Sequence, residues 1–142
     1  MENKNAVIVS AHGNFADGIA SAVKLIAGPM ENLRLVNFPE GSNFEEIDGK
    51  LKESYDQLKD YKNVLIITDL MGGTPFNRSV LALGEKENVR VLSGLNFASL
   101  FQALTSDTED IDALADEVIE IGREGIGKYK VISKEQHDDD GI

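Results

Sequence analysis

The chain has 142 residues, of which 42% are hydrophobic and 27% charged, and it contains 14 Lys and Arg, 25 Asp and Glu and no cysteine. This length supports one domain with a full core, and the missing thiols exclude disulfides and thiolate metal sites. The net charge of -11 argues against binding to nucleic acid or to anionic membrane surfaces. Because no apolar run is long enough to span a bilayer and the N-terminus does not resemble a signal peptide, a cytoplasmic location is expected.

Apolar β-branched runs alternate along the chain with segments whose apolar residues repeat at helical spacing. This alternation predicts an α/β fold with a doubly wound, mainly parallel sheet flanked by helices. The predicted elements are, in chain order, strand 6–9, helix 15–27, strand 33–38, helix 44–58, strand 64–68, helix 75–85, strand 89–92, helix 97–104, helix 111–121 and strand 129–132. Residues 1–134 are expected to form one domain, and residues 135–142 an acidic, flexible tail.

Capping residues mark the expected starts of the helices. Asn14 can cap the first helix, and Ser-Asn-Phe-Glu at 42–45 predicts a capping box for the second. Thr74 followed by Pro75 is typical of an N-cap and a first helical residue, and Asn96 can cap the fourth helix.

Two predicted strands end in side chains that can do chemistry. The first leads through Ser10 and Ala11 to His12, and the strand at 64–68 is followed directly by Asp69. If the second strand lies outside the first, and the third on its other side, as in a flavodoxin-like sheet, the first and third strands are neighbours. His12 and Asp69 then face the same crevice at the carboxyl edge of the sheet, where ligands of such folds bind.

An aspartate beside a histidine can define the chemical state of the imidazole. Asp69 can accept a hydrogen bond from one ring nitrogen of His12, which leaves the other nitrogen with a free lone pair. Attack on a phosphorus atom needs this arrangement. Since a single histidine is more often a packing residue at a strand end, the hypothesis depends on Asp69 as its partner.

Residues 69–77, Asp-Leu-Met-Gly-Gly-Thr-Pro-Phe-Asn, add a candidate anion site. Gly72 and Gly73 allow close approach of the backbone, and the first-turn amides of the helix after Thr74 point at whatever lies in front of them. A phosphoryl group carries about −1.5 to −2 charges near neutral pH and needs such donors. Thr74 is therefore predicted to contact the phosphoryl group, although its hydroxyl also suits an N-cap.

Residues 122–128 match the glycine and lysine spacing of a phosphate-binding P-loop, but their context does not fit one. Tyr129 stands where a P-loop has the serine or threonine that holds magnesium, and a helix precedes the run where a strand is required. We interpret the run as a glycine-terminated helix with Arg123 and Lys128 near its end. No other stretch offers a nucleotide site, so the phosphoryl group is expected to come from another protein.

Neither a cofactor nor a metal ion is expected. His12 and Asp69 are too few ligands for a metal centre. His137, the other histidine, lies beside three aspartates in the expected flexible tail, where a solvated segment is the simpler interpretation.

In order and spacing, residues 5–133 resemble the EIIA component of the mannose family of bacterial sugar phosphotransferase systems. The resemblance is carried by His12 with the glycine that follows it, by Gly-Gly-Thr-Pro-Phe-Asn at 72–77, and by the turn at 93–97. The element at 72–77, which follows an aspartate, is the specific part.

The resemblance implies that His12 accepts a phosphoryl group from the phosphocarrier protein HPr and passes it to a histidine of the EIIB component. The sugar then enters through membrane subunits with which this component associates. Asp69 would orient the imidazole and stabilise its positive charge, and Thr74 would hydrogen-bond the phosphoryl oxygens. Members of the family form homodimers that exchange a C-terminal antiparallel strand, here 129–132.

Three other functions compete with this interpretation. A related phosphotransfer subunit that serves dihydroxyacetone kinases also uses a histidine after its first strand, but the element at 72–77 is not expected in it. A regulatory module would use His12 only to recognise a ligand. A small hydrolase with His12 as its base ranks last, because no nucleophile or metal set accompanies that residue.

Overall fold

A computed structural model of the chain describes residues 4–133, in which strands and helices alternate as the sequence predicts. The elements are β1 (Asn5–His12), α1 (Phe15–Ala27), β2 (Leu33–Phe38), α2 (Phe44–Gln57), β3 (Asn63–Thr68), α3 (Thr74–Leu83), β4 (Val89–Ser93), α4 (Phe97–Thr105) and α5 (Ile111–Glu124). Within the described range, no helix combines the length and the apolar character needed to cross a membrane.

The strands of residues 4–133 form one parallel sheet in the order β2-β1-β3-β4. Ser10 of β1 is level with Val36 of β2 on one side and with Thr68 of β3 on the other. The prediction of a doubly wound parallel sheet is therefore confirmed, and β1 and β3 are neighbours as the sequence interpretation requires.

Alternate residues of the central strands face two different helical layers. Val7 and Val9 pack in a cluster with residues of α1, α4 and α5. Ala6 and Ile8 pack in a second cluster with residues of α2 and α3. Since a fully buried Leu or Ile side chain stabilises a fold by about 1.5–3 kcal/mol, the doubly buried strands β1 and β3 are a firm support for whatever lies at their ends.

The predicted caps of the first two helices differ from the structure. Asn14 occupies the N-cap position of α1, but its side chain makes no capping hydrogen bond. The capping box predicted from Ser42 is displaced by one residue, since Asn43 is the N-cap of α2 and accepts a hydrogen bond from the Glu46 amide at 2.7 Å. The Ser42 hydroxyl donates instead to the Pro39 carbonyl, which closes the preceding turn.

The predicted ends of the other helices agree more closely. Asn96 caps α4, and its side chain and that of Ser99 form a reciprocal capping box. Helix α3 ends at Leu83, two residues before the predicted end, because Gly84 follows as its C-cap. Gly125 is the C-cap of α5, which confirms the interpretation of 122–128 as a glycine-terminated helix.

The predicted fifth strand, 129–132, does not form within the single described chain. Residues 126–133 follow α5 without regular secondary structure. Tyr129 and Val131 are 74% and 90% exposed, so these apolar side chains do not pack against the described part of their own chain. The predicted tail at 135–142, with His137, lies outside the described residues.

Arg78 of α3 and Asp48 of α2 join the two helices that cover one face of the sheet. The guanidinium donates two hydrogen bonds to the carboxylate, at 3.0 and 2.6 Å, and lies over the Phe44 ring, 4.6 Å from its centroid. The hydrogen bonds from Arg78 hold the pKa of Asp48 below its ordinary value.

We predict that Asp48→Asn lowers the free energy of unfolding at pH 7. The difference in this free energy between the variant and the wild type should become smaller at acid pH. Because the folded-state pKa of Asp48 is depressed, its stabilising effect is fully present above the unfolded carboxyl pKa of about 3.9 and is lost as the pH falls through the folded value. Urea denaturation from about pH 7 to about pH 3 measures both effects. A difference that stays constant over this range would show that the charge of Asp48 is not its source.

Candidate functional site

His12 is the last residue of β1 and lies at the carboxyl edge of the sheet, between the ends of β2 and β3. The chain turns away directly after it, since Gly13 adopts a φ of 58° and donates its amide to the Phe38 carbonyl at 2.9 Å. The Phe38 ring meets the imidazole edge-on, with ring centroids 6.0 Å apart. The His12 side chain is 45% exposed, so a strand that is otherwise buried presents an accessible imidazole to solvent.

Asp69 follows β3 directly and holds His12 through one carboxylate oxygen. Its Oδ2 accepts a hydrogen bond from the His12 backbone amide at 3.0 Å and lies 3.0 Å from Nδ1 of the ring. Since a carboxylate can only accept, this contact requires Nδ1 to carry the proton, which leaves the lone pair of a neutral ring on Nε2. The other oxygen, Oδ1, is buried and has no hydrogen-bond partner among the described residues.

A tight turn connects Asp69 to α3 and passes against the imidazole. The Gly73 amide donates to the Leu70 carbonyl at 3.1 Å, and Gly72 adopts a φ of 76°, as the third residue of a type II turn does. A Cβ added to Gly73 would lie 3.0 Å from Cε1 of His12 and 3.3 Å from the Leu70 oxygen. A side chain at 73 would therefore require the ring or the Leu70 carbonyl to shift by a few tenths of an ångström, whereas glycine fits without such a shift.

Helix α3 and its N-cap lie one residue earlier in the chain than the sequence predicts. Gly73 is the N-cap, with φ -71° and ψ 172°, and Thr74 is the first helical residue, followed by Pro75. The predicted capping role of Thr74 is therefore wrong, and its hydroxyl makes no hydrogen bond to the part of the chain that the structure describes. The amides of Thr74 and Phe76 belong to the first helical turn, where intrahelical acceptors are missing.

The structure brings the predicted site residues to one place at the edge of the sheet. Asp69 is in direct contact with His12, Gly73 lies beside the ring, and Gly72 and Thr74 flank Gly73 in the chain.

Sequence reasoning missed two neighbours of this group. Phe38 is level with His12 in the register of β1 and β2, so a correct alignment of the two strands would have found it. Asn77 donates from its side chain to the Gly72 carbonyl at 3.0 Å. In the sequence, this bond was indicated only by the position of Asn77 at the end of the run 69–77.

A groove of about 410 Å³ lies beside this site, between β4 and α5. Its lining is mostly apolar and includes Met71 of the turn, Val91 of β4, and Ile119 and Ile126. His12 and Asp69 do not line this groove, and the imidazole is accessible from solvent beside it.

A comparison with protein families matches residues 6–119 to the EIIA-man family, described as the fructose IIA component of the phosphotransferase system (PTS). The matched range includes His12, Asp69 and the whole turn that follows.

Curated relatives carry the same kind of name. The mannose-specific EIIAB component of the PTS from Escherichia coli K12 is 30% identical over 127 residues, which are 88% of this chain and 39% of that protein. The chain thus spans well under half the length of this relative. The fructose-specific EIIA component from Bacillus subtilis is 23% identical over 143 residues, covering 95% of this chain and 98% of that protein.

Solved structures share the architecture over most of the chain. A phosphotransferase system component EIIA from Streptococcus agalactiae superposes with a TM-score of 0.77 at 40% identity, covering 87% of this chain and 95% of the other. A mannose/sorbose specific IIA subunit from Enterococcus faecalis gives a TM-score of 0.82 at 26% identity, with coverages of 92% and 98%.

We predict that Gly72→Ala destabilises the protein by about 1–2 kcal/mol, because an alanine there must adopt the left-handed conformation. Gly49 is a matched control, since it lies inside α2 with open space around its Cα. Gly49→Ala is expected to stabilise the protein by about 0.5–1 kcal/mol. Chemical denaturation of both variants measures the two effects, and equal changes would contradict the assignment of strain to the turn.

Proposed function

The chain belongs to the EIIA-man family of PTS components, and we propose that it is a phosphohistidine carrier that works through His12. In this proposal His12 accepts a phosphoryl group from HPr and passes it to EIIB, which serves sugar uptake through membrane subunits. The observation that carries the proposal is the Asp69 oxygen that lies 3.0 Å from Nδ1 of an exposed imidazole. The protein would act in the cytoplasm beside the transporter, as a transferase component without a small-molecule substrate of its own.

The transfer would use the lone pair of Nε2. This lone pair attacks the phosphorus atom of the donor phosphohistidine, and a new N–P bond forms while the donor's N–P bond breaks and returns its electron pair to the donor nitrogen. The proton stays on Nδ1, so the phosphorylated ring carries a positive charge. Asp69 compensates that charge from 3.0 Å away, and the same steps in reverse deliver the phosphoryl group to EIIB.

The turn and the first turn of α3 would receive the phosphoryl oxygens. The amides of Thr74 and Phe76 are the free donors of a helix N-terminus, which favours anions. Because the Thr74 hydroxyl is not used as a cap, it adds a third donor there. Gly73 contributes by letting the backbone come close to the imidazole, and Gly72 by adopting the positive φ that the turn requires.

Exposed apolar side chains beside the site suit a phosphoryl donor and acceptor that are themselves proteins. Leu70 and Met71 are 58% and 69% exposed in the turn that follows Asp69. Exposed apolar groups around a polar centre are typical of protein-binding surfaces.

We also propose that the chain forms a homodimer in which residues 129–132 of each copy pair antiparallel with β4 of the other. In the described chain β4 pairs with β3 alone, and an apolar groove runs between β4 and α5. Tyr129 and Val131 alternate with polar residues and are exposed, as expected for a strand that finds its partner in a second copy.

Incubation with phosphoenolpyruvate, enzyme I and HPr is expected to place an acid-labile phosphoryl group on His12. The His12→Ala variant should take up no radiolabel, because the nucleophilic nitrogen is gone. The matched control is His137→Ala, which removes the only other histidine and should be labelled like the wild type. Stoichiometric labelling of His12→Ala would overturn the proposal, and transfer onward to a dihydroxyacetone kinase instead of EIIB would favour the related subunit.

Asp69→Ala is expected to slow phosphoryl transfer by about 100-fold or more while the fold stays intact, because the imidazole loses both its orientation and its compensating charge. Asp112→Ala is the matched control, since Asp112 of α5 pairs with Arg90 of β4 and makes no contact with His12. Quench-flow labelling from phosphorylated HPr gives the rates, and circular dichroism checks the fold. Unchanged transfer in Asp69→Ala would remove this residue from the mechanism.

Sedimentation equilibrium should show a dimer of the wild type and a monomer of Val131→Asp, because a buried carboxylate in the proposed strand cannot be accommodated. Leu25→Asp is the control: Leu25 is 88% exposed on α1, away from β4, and its variant should remain dimeric. A monomeric wild type, or a dimeric Val131→Asp, would contradict the exchanged strand.

A further inference from the structure

Asn77 links the first turn of α3 back to the two glycines beside His12. Its side-chain Nδ2 donates to the Gly72 carbonyl at 3.0 Å, and its backbone amide donates to the Gly73 carbonyl at 2.9 Å. We propose that Asn77 is a positioning residue for phosphoryl transfer, which aligns the backbone that borders the imidazole and receives the phosphoryl oxygens. This inference rests on the proposed function of His12.

The hydrogen bond from the Asn77 side chain is the second of two that hold the peptide unit between Gly72 and Gly73. The peptide between Gly72 and Gly73 is planar, so its carbonyl and its N–H point in opposite directions. The N–H donates to the Leu70 carbonyl at 3.1 Å, and the carbonyl accepts from Nδ2 of Asn77. With both polar atoms held, this unit cannot rotate about its flanking bonds.

The next peptide unit transmits this orientation to the proposed phosphoryl site. The Gly73 carbonyl accepts from the Asn77 backbone amide, so the Thr74 N–H of the same unit must point away from the helix. That N–H is one of the donors proposed for the phosphoryl oxygens. Residue 77 therefore holds two successive peptides: the first through the Asn77 side chain, and the second through a backbone amide that any residue would supply. The side chain acts on the donor of the second peptide by fixing the peptide before it.

Two adjacent glycines make this constraint necessary. Glycine gives the backbone access to conformations that other residues exclude, so Gly72-Gly73 is intrinsically the most pliable pair of the turn. The pair also lies against the reactive ring, because a Cβ on Gly73 would be 3.0 Å from Cε1 of His12. A rotation of these peptides would move both the donor amides and the Gly73 backbone that lies beside the imidazole.

Burial does not account for Asn77. The residue is exposed on α3, whereas Pro75, Ser79 and Leu83 provide the buried face of that helix. Its loss should therefore affect the geometry of the site more than the stability of the fold.

The test compares phosphoryl acceptance from HPr, driven by phosphoenolpyruvate and enzyme I, in the wild type and in Asn77→Ala. We expect kcat to fall by about 10- to 100-fold with KM for phosphorylated HPr unchanged, because misplacement of donors affects the transfer step and not docking. Asn77→Asp is a second variant, since a carboxylate in the first turn favours the helix but cannot donate to the Gly72 carbonyl. It should also be slow.

Asn88→Ala is the matched control. Asn88 accepts a hydrogen bond from the Tyr55 hydroxyl at 2.7 Å, and it precedes β4 at the opposite edge of the sheet. This variant should transfer at the rate of the wild type. Amide NMR spectra add a readout of position: phosphorylation should shift the Gly73 and Thr74 amides in the wild type, and much less in Asn77→Ala.

The outcomes separate this inference from the proposed function. A wild type that takes up no phosphoryl group on His12 overturns both. A wild type that is phosphorylated, with folded Asn77 variants that show the same kcat and the same amide shifts, overturns the positioning role alone. An equal loss of kcat in Asn88→Ala would also overturn it, because the effect would then be one of general stability.

Discussion

A single carboxylate oxygen, Oδ2 of Asp69, holds both the backbone amide and the ring of His12. The first hydrogen bond ties the end of β1 to the residue after β3, and the second sets which ring nitrogen carries the proton. Any shift of β1 relative to β3 would therefore move the imidazole and at the same time disturb both hydrogen bonds from His12 to Asp69. Strands β1 and β3 are the most buried of the sheet. Because the packed core holds both strands in place, it also holds His12 in position.

The site is closed on one side of the imidazole and open on the other. Gly73 and Phe38 lie against the ring, and the first turn of α3 begins beside it. The His12 side chain is nevertheless 45% exposed, and Leu70 and Met71 are exposed in the turn that follows Asp69. The proposed relay between two proteins would need an accessible imidazole, because each partner would have to reach the same nitrogen. An enclosed pocket would exclude both.

The sequence predicted the parts of this site that depend on the strands, because the apolar runs that end in His12 and Asp69 are unambiguous and the parallel topology brings their ends together. Helix starts were less predictable. Thr74 and Ser42 have the right chemistry for caps, but the local turns use Gly73 and Asn43 instead. The contact of Asn77 with Gly72 depends on a turn conformation that no local pattern encodes. The strand predicted at 129–132 is not formed in the described single chain.

The proposed phosphoryl transfer is tested most directly by identifying which nitrogen of His12 receives the phosphoryl group. Long-range proton–nitrogen correlation spectra of the protein, after incubation with phosphoenolpyruvate, enzyme I and HPr, identify the substituted nitrogen and the protonated one. Because Asp69 engages Nδ1, we expect a phosphoryl group on Nε2 and a proton retained on Nδ1. A phosphoryl group on Nδ1 would contradict the proposal, since that nitrogen would have had to leave the carboxylate before it could react.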